Sequence, residues 1–288
     1  MVAVVTQLDR PRGRSRSRHD PTAVKVVALE EGIAVLQPER PRGDGFLAEL
    51  RALEPDISVV VAYGHLLPRD VIELPRLGTL NIHASLLPAL RGAAPIPAAI
   101  ASGLSQTGVT IMRMVPALDA GPVVFALPTP IEPDETAGEL QLRLSEMGAE
   151  AIVEALALIG LGKATETPQD DALVTYAPKI ERMHARLPFG ASSERVARLV
   201  RAFDPKPGAW SVLRGAEVRL FGARAEVGGE PGLPGEVLEA TANGLLVACA
   251  VGAVRIAEVH PAGRKRLAAA QWVRGRGVSV GDCFESPD

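Results

Sequence analysis

Leu80-Asn81-Ile82-His83-Ala84-Ser85-Leu86-Leu87-Pro88-Ala89-Leu90-Arg91-Gly92-Ala93-Ala94-Pro95-Ile96 carries a strand, a loop and the start of a helix in seventeen consecutive residues. From Gly78 to Ala84 apolar and polar residues alternate, which is the period of a strand, so Asn81 and His83 point to the same face. Pro88 and the Arg91-Gly92 pair interrupt regular structure. Ala93 to Ala101 is small and apolar and predicts a helix entered through Pro95. The loop at the carboxyl end of such a strand is where α/β sheets bind ligands.

The flanking sequence repeats the pattern. Val2 to Val5, Ile33 to Leu36 and Ile57 to Ala62 are short apolar runs separated by helix-like stretches at Thr22 to Glu31 and Gly45 to Leu53. That alternation predicts a parallel, doubly wound α/β sheet, continued by strands at Leu80 to Ala84 and Val109 to Met114, and Gly108 to Met114 and Val123 to Ile131 read as strand-like runs on either side of Asp119. Thr136 to Ile159 has apolar residues spaced by three and four and predicts a long amphipathic helix. Gly160 to Thr175, rich in Gly, Thr, Pro, Gln and Asp, has no period and reads as a linker. After a helix at Glu194 to Ala202, stopped by Asp204-Pro205-Lys206-Pro207-Gly208, strand-like runs follow at Trp210 to Leu213, Glu217 to Phe221, Gly235 to Glu239, Gly244 to Ala248 and Ala253 to Val259. Short strands at such close spacing predict a small β-barrel. The expected division is a catalytic domain over 1–162, a linker over 163–180 and a second domain over 181–288.

Side by side at a strand end, Asn81 and His83 suit acyl transfer. An amide donates to a developing oxyanion, and an imidazole donates or relays a proton near neutral pH. Asp119, in the turn Leu118-Asp119-Ala120-Gly121, is placed to orient or charge that imidazole. No Ser or Cys in suitable company supplies a nucleophile, so the set fits transfer between two bound substrates. Taken singly, each residue admits a plainer reading: Asn81 as a cap, His83 as an interior histidine, Asp119 as a turn residue.

Composition sets bounds. The 288 residues are 47% hydrophobic, enough for one large core and a smaller second one. A net charge of -3 gives no global field for nucleic acid, so any RNA contact rests on a local patch. Such a patch is Arg10-Pro11-Arg12-Gly13-Arg14-Ser15-Arg16-Ser17-Arg18, with Arg10, Arg12, Arg14, Arg16 and Arg18 at every second position. Its composition predicts a mobile cationic loop without packed structure, suited to phosphate and exposed bases. Two distant cysteines, no leader and no apolar run of spanning length predict a cytoplasmic protein without disulfides or a membrane segment. No metal site is expected, since zinc needs more ligands than two cysteines provide.

The motifs Asn81-Ile82-His83-Ala84-Ser85-Leu86-Leu87-Pro88, Arg91-Gly92-Ala93-Ala94-Pro95-Ile96, Thr107-Gly108-Val109-Thr110-Ile111-Met112 and Leu118-Asp119-Ala120-Gly121-Pro122 resemble the folate-dependent formyltransferases. The Arg-Gly-Ala-Ala-Pro-Ile continuation is similar to the branch of that family that acts on methionyl-tRNA, and the similarity runs through nearly the whole chain. The resemblance implies a Rossmann-like formyltransferase domain followed by an OB-like β-barrel that helps hold tRNA. It implies Asn81, His83 and Asp119 as catalytic residues and 10-formyltetrahydrofolate as donor, with initiator methionyl-tRNA as acceptor and a monomeric enzyme. The folate would lie against Tyr63, Gly64, His65, Leu66 and Leu67, against Ser85, Leu86, Leu87 and Pro88, and against Val115 and Leu118. His65 reads as a wall of that site rather than a catalyst. The arginine stretch matches the loop that meets the acceptor end of the tRNA, and Arg264-Lys265-Arg266 matches the closing basic segment of the barrel, although such a triplet by itself is usually a solvated turn.

Several departures stand out. By the same resemblance the chain opens at the family's second strand, without an initial strand, turn and helix, and the sheet is expected to lack a central strand. Leu8 replaces a proline, Arg18 to Val24 departs from the usual pattern, and Met183 to Phe189 lacks an acidic-aromatic pair. Two rivals therefore stand beside formylation of methionyl-tRNA: another folate-dependent formyltransferase, with a sugar-nucleotide or glycinamide-ribonucleotide acceptor, and a truncated chain without activity.

Overall fold

The computed structural model describes residues 1–12, 18–226 and 232–286. In chain order its elements are β1 (Ala3–Val5), β2 (Arg10–Arg12), β3 (Arg18–Asp20), α1 (Ala23–Glu30), β4 (Ala34–Leu36), α2 (Asp44–Ala52), β5 (Ser58–Val61), α3 (Arg69–Ile72), β6 (Thr79–His83), α4 (Pro95–Ala101), β7 (Gln106–Arg113), β8 (Val123–Pro130) and α5 (Ala137–Gly160). There follow α6 (Ser193–Ala202), β9 (Ala209–Leu213), β10 (Ala216–Glu226), β11 (Val237–Thr241), β12 (Gly244–Ala248), β13 (Ala253–Pro261), β14 (Leu267–Ala268) and α7 (Ala269–Arg274), with short 3-10 turns at Asp171–Leu173 and Arg182–Ala185. Two compact units arise. The first comprises Met1–His83, Thr110–Ala126 and Ala151–Asp170; the second comprises Ala84–Val109, Leu127–Glu150 and Asp171–Asp288.

In the first unit, β1 and β4 pair in parallel, Ala3 opposite Ala34. The helix between them is capped by Thr22, whose Oγ1 accepts from the Lys25 amide at 3.2 Å and lies 2.7 Å from the Thr6 hydroxyl. Phe46 and Leu47 of α2 and Val71 of α3 form a core joined by Val5, Leu36, Leu50, Leu67 and Leu74. Burying each large side chain contributes roughly 1.5 to 3 kcal/mol.

The second sheet has the order β5-β6-β7-β8. β5 runs parallel to β6, Ser58 opposite Thr79, but β6 and β7 are antiparallel, His83 opposite Thr110 and Leu80 opposite Arg113. The parallel continuation expected from the sequence is corrected here: the sheet is mixed. Alternation reports which face a side chain takes and says nothing of strand direction, so this reversal left no mark in the periodicity. Among the described residues β1 pairs with β4 and β5 with β6, in two separate sheets, and Val59 and Val61 of β5 remain exposed.

In the second unit, α5 opens with a reciprocal cap: Glu139 Oε2 accepts from the Thr136 amide at 2.9 Å and Thr136 Oγ1 accepts from the Glu139 amide at 3.3 Å. The carboxyl terminal part of the chain forms an antiparallel sheet of order β11-β12-β13-β10-β9, with β14 on β13. Its two edges meet through one short segment. Cys283 bridges Glu236 beside β11 and Phe284 bridges Leu213 of β9, so the sheet closes into a barrel. Phe189, Leu187, Leu220, Leu245, Ile256 and Phe284 fill it. β10 extends to Glu226, well beyond the alternation that ends at Phe221, because Gly222-Ala223-Arg224-Ala225-Glu226 carries little apolar signal yet pairs along β13.

Candidate active site

β6 delivers Asn81 and His83 to one strand end, as the alternation predicts. The Asp119 carboxylate faces the imidazole: His83 Nδ1 and Asp119 Oδ2 are 3.7 Å apart, with side chains only 6% and 14% exposed. That separation is too long for a good hydrogen bond but brings the charges together once the ring is protonated, where little water screens them.

Asp119 sits at φ +47°, a left-handed conformation that Asp and Asn tolerate better than most residues. Its turn is bound from two sides. The Arg113 amide donates to the Pro122 carbonyl at 2.9 Å, and Gln169 Nε2 donates to the carbonyls of Asp119 at 2.8 Å and Gly121 at 2.7 Å. Gly121 lies so close to β7 that a Cβ there would overlap the Arg113 carbonyl oxygen. Thr167 pairs with Val123 through both backbone groups, and Arg113 Nε donates to Glu166 at 2.7 Å. Residues 166 to 169 thus strap the Asp119 turn. Sequence reading assigned this stretch to a linker and missed Gln169, for a lone glutamine in an aperiodic polar segment carries no signal.

The Tyr63 to Leu67 stretch leaves β5 through Ala62, at φ +43°. The Tyr63 ring packs on His65 at 5.2 Å, burial pushes the phenol's pKa up, and its hydroxyl is buried without a hydrogen-bond partner among the described residues. Leu66 is largely exposed, whereas Leu67 turns into the Phe46 core and supports the loop from below. Val115 is half-buried and Leu118 exposed. Ser85, Leu86, Leu87 and Pro88 belong to the second unit, where the buried Ser85 hydroxyl donates to the Ala89 carbonyl at 2.6 Å.

The arginine stretch is more ordered at its ends than its composition predicts. β2 and β3 pair antiparallel, Arg10 opposite Asp20 and Arg12 opposite Arg18, because ladder hydrogen bonds need no apolar side chains. Arg10 is exposed; Arg14 and Arg16 lie outside the described residues.

Arg264 and Lys265 are exposed, but Arg266 is held from three sides. Its guanidinium donates to both oxygens of the nearly buried Asp204, at 2.8 and 3.1 Å, and to Glu258 at 2.6 Å, and lies 4.0 Å from the centre of the Phe221 ring. Arg266→Ala is expected to destabilise the barrel by about 2 kcal/mol, since it leaves the Asp204 carboxylate without its charge partner. Arg264→Ala should change stability by less than about 0.5 kcal/mol. Thermal melting of the two variants separates a structural guanidinium from a solvated one.

Burial, aided by Glu194, pushes the Cys249 thiol up to about 12, so it carries no thiolate near neutral pH. Among the described residues no group of three His, Cys, Asp or Glu side chains is suited to a metal ion, and no helix is long and apolar enough to cross a membrane.

The family described as Formyl transferase matches residues 1–156, and the family described as Formyl transferase, C-terminal domain, matches residues 179–277. A protein of Pseudomonas paraeruginosa named methionyl-tRNA formyltransferase is 47% identical over 276 residues, covering 96% of this chain and 88% of that protein. One of the same name from Aromatoleum aromaticum is 47% identical over 283 residues, covering 98% and 89%. Among solved structures, HypX from Aquifex aeolicus in complex with tetrahydrofolic acid shares the fold, with a TM-score of 0.66 and 24% identity over 99% of this chain and 50% of that one. With both domain families in order and such identity along nearly the whole length, the chain belongs to the methionyl-tRNA formyltransferase family.

Proposed function

We propose that the protein transfers the formyl group of 10-formyltetrahydrofolate to the α-amine of methionine esterified to initiator tRNA, the modification that prepares it for translation initiation. The observation that carries the reading is the buried His83 and Asp119 pair at the end of β6, with Asn81 on the same face.

The donor supplies an activated formyl carbon. The amine nitrogen attacks it, a carbon–nitrogen bond forms to the methionine, and the bond to the departing folate nitrogen breaks. Asn81 and His83 donate hydrogen bonds to the formyl oxygen as negative charge grows there. Asp119 sets the charge of the imidazole, and the pair moves the proton lost by the amine toward the folate nitrogen that leaves. The Tyr63 to Leu67 loop, with Val115 and Leu118, lines the folate site. Arg10, Arg12, Arg14, Arg16 and Arg18, with Arg264 and Lys265, hold RNA phosphates; Arg266 serves mainly to anchor Asp204. The working division is a catalytic domain over 1–162, a linker over 163–180 and a tRNA-binding domain over 181–288. The protein acts as a monomer in the cytoplasm.

The test is single-turnover transfer with three acceptors. Initiator methionyl-tRNA should be formylated, while an amino-sugar nucleotide and glycinamide ribonucleotide should not. Transfer to either small acceptor without transfer to tRNA overturns the reading. RNA affinity should fall with salt, and each arginine that contacts a phosphate should contribute roughly one unit to the slope of log affinity against log salt. Arg10→Ala is therefore expected to flatten that slope by about one, measured by filter binding at several salt concentrations.

A further inference from the structure

Gln7 stands between the arginine ribbon and the loop assigned above to folate. Its side-chain Nε2 donates to the Tyr63 carbonyl at 2.6 Å, and its Oε1 accepts from the Arg10 guanidinium at 3.2 Å. One amide thus has its donor on the loop that follows β5 and its acceptor on the foot of β2.

The residues around Gln7 are fixed by a closed polar network. Gln37 Nε2 donates to the Gln7 carbonyl and to Asp9 Oδ1, both at 2.8 Å. Lys25 Nζ donates to Gln37 Oε1 at 2.6 Å and to Asp9 Oδ2 at 2.7 Å. Hydrogen bonds from Lys25 and then Gln37 hold the Asp9 carboxyl below its usual pKa. Both glutamine side chains and the lysine come from the ends of β1, α1 and β4 and have little freedom left.

The loop is shaped to meet this amide. Gly64 is at φ +80°, and a Cβ there would come 2.7 Å from Gln7 Nε2. A side chain at 64 would meet both a disfavoured backbone conformation and the nitrogen that grips Tyr63.

We propose that Gln7 is a positioning residue for the folate donor, and that Arg10 acts on donor binding through it. Gln7 touches no substrate in this scheme. It fixes the Tyr63 carbonyl and with it the path of Tyr63-Gly64-His65. The Arg10 guanidinium holds the amide in the one orientation that presents N–H to that carbonyl, and polarises it. An arginine of the RNA-binding ribbon would then influence the affinity for a substrate it does not contact. The inference rests on the assignment of the Tyr63 loop to folate under the proposed function.

The expected result is a split between kinetic constants. Gln7→Leu should raise KM for 10-formyltetrahydrofolate by about threefold to tenfold, the range of one lost hydrogen bond, while kcat and KM for tRNA change by less than about twofold. Gln7→Glu keeps the size and the Arg10 contact but turns an acceptor toward the Tyr63 carbonyl, and should raise the same KM at least as much. Arg10→Ala should raise it by about twofold to threefold, and the double variant Arg10→Ala with Gln7→Leu should match Gln7→Leu alone. Direct titration with tetrahydrofolate should reproduce these changes without turnover. An unchanged donor KM in folded Gln7→Leu and Gln7→Glu overturns the positioning role, and additive effects in the double variant overturn the route through Gln7. If the unaltered chain binds no tetrahydrofolate and transfers no formyl group, the proposed function itself fails, a distinct outcome.

Discussion

Asp119→Asn is expected to lower the single-turnover rate of formyl transfer by roughly a hundredfold to ten-thousandfold, with the melting temperature changed by no more than a few degrees. Asn accepts the left-handed backbone that Asp119 adopts at φ +47°, and the carbonyls bound by Gln169 are main-chain groups that the substitution leaves in place. What is lost is the charge 3.7 Å from the His83 ring. Without it the imidazole loses the carboxylate that faces its Nδ1, and the donor to the formyl oxygen is weakened together with the path for the proton. His83→Ala should cost a similar factor. Near-normal single-turnover transfer by a folded Asp119→Asn protein would remove the pair from the mechanism.

Gly121→Ala should act on the same turn by a different route. The added methyl group would overlap the carbonyl oxygen of Arg113, and backbone on a paired strand cannot step aside as a flexible side chain can. Either β7 shifts or the turn lifts away, and the Arg113 to Pro122 hydrogen bond is lost in both cases. The expected cost is about 3 kcal/mol, which lowers the melting temperature by roughly 6 to 12 °C. The turn that lifts carries Asp119, so transfer should fall as well, even in the fraction that stays folded at low temperature. Calorimetry and single-turnover assay on one preparation check both statements.

Strand and helix positions were legible where side chains alternate or recur at helical spacing. β6, β12 and α6 lie within a residue of their predicted places, because alternation, a short apolar run bounded by turn residues, or helical spacing marks each of them. Direction was not legible: the reversal between β6 and β7 depends on where the chain re-enters the sheet. Pairing of β2 with β3 was hidden because arginine, glycine and serine give no face to bury.

Of the candidate site, Asn81, His83 and Asp119 were readable from residue type and motif, and His83 and Asp119 do face each other. The groups that hold the Asp119 turn and the Tyr63 loop were not. Gln169 bonds main-chain carbonyls through its side chain, and Gln7 likewise grips Tyr63 through its carbonyl. A bond to a carbonyl makes no demand on the residue type that supplies it, so neither partner leaves a pattern. Arg266 shows the converse: its composition suggests a free basic triplet, while its partners Asp204 and Glu258 come from distant parts of the chain.

Closure of the barrel by residues 283 to 285 bears on how the protein reaches its native state. The Ser211 hydroxyl bonds the Glu285 carbonyl 74 residues away in sequence, so the seal is among the most non-local contacts of the domain. Bringing the ends of such a span together costs on the order of 4 kcal/mol in chain entropy before any contact repays it. The hairpins of β9 with β10 and β11 with β12 close over short turns and meet no such barrier. The sheet is therefore expected to form open and to gain its closing segment late, with β9 and β11 until then presenting bare edges to any other unfolded chain nearby. A slow closure of that seal is expected to lengthen the time over which the nascent protein exposes those edges to its own copies.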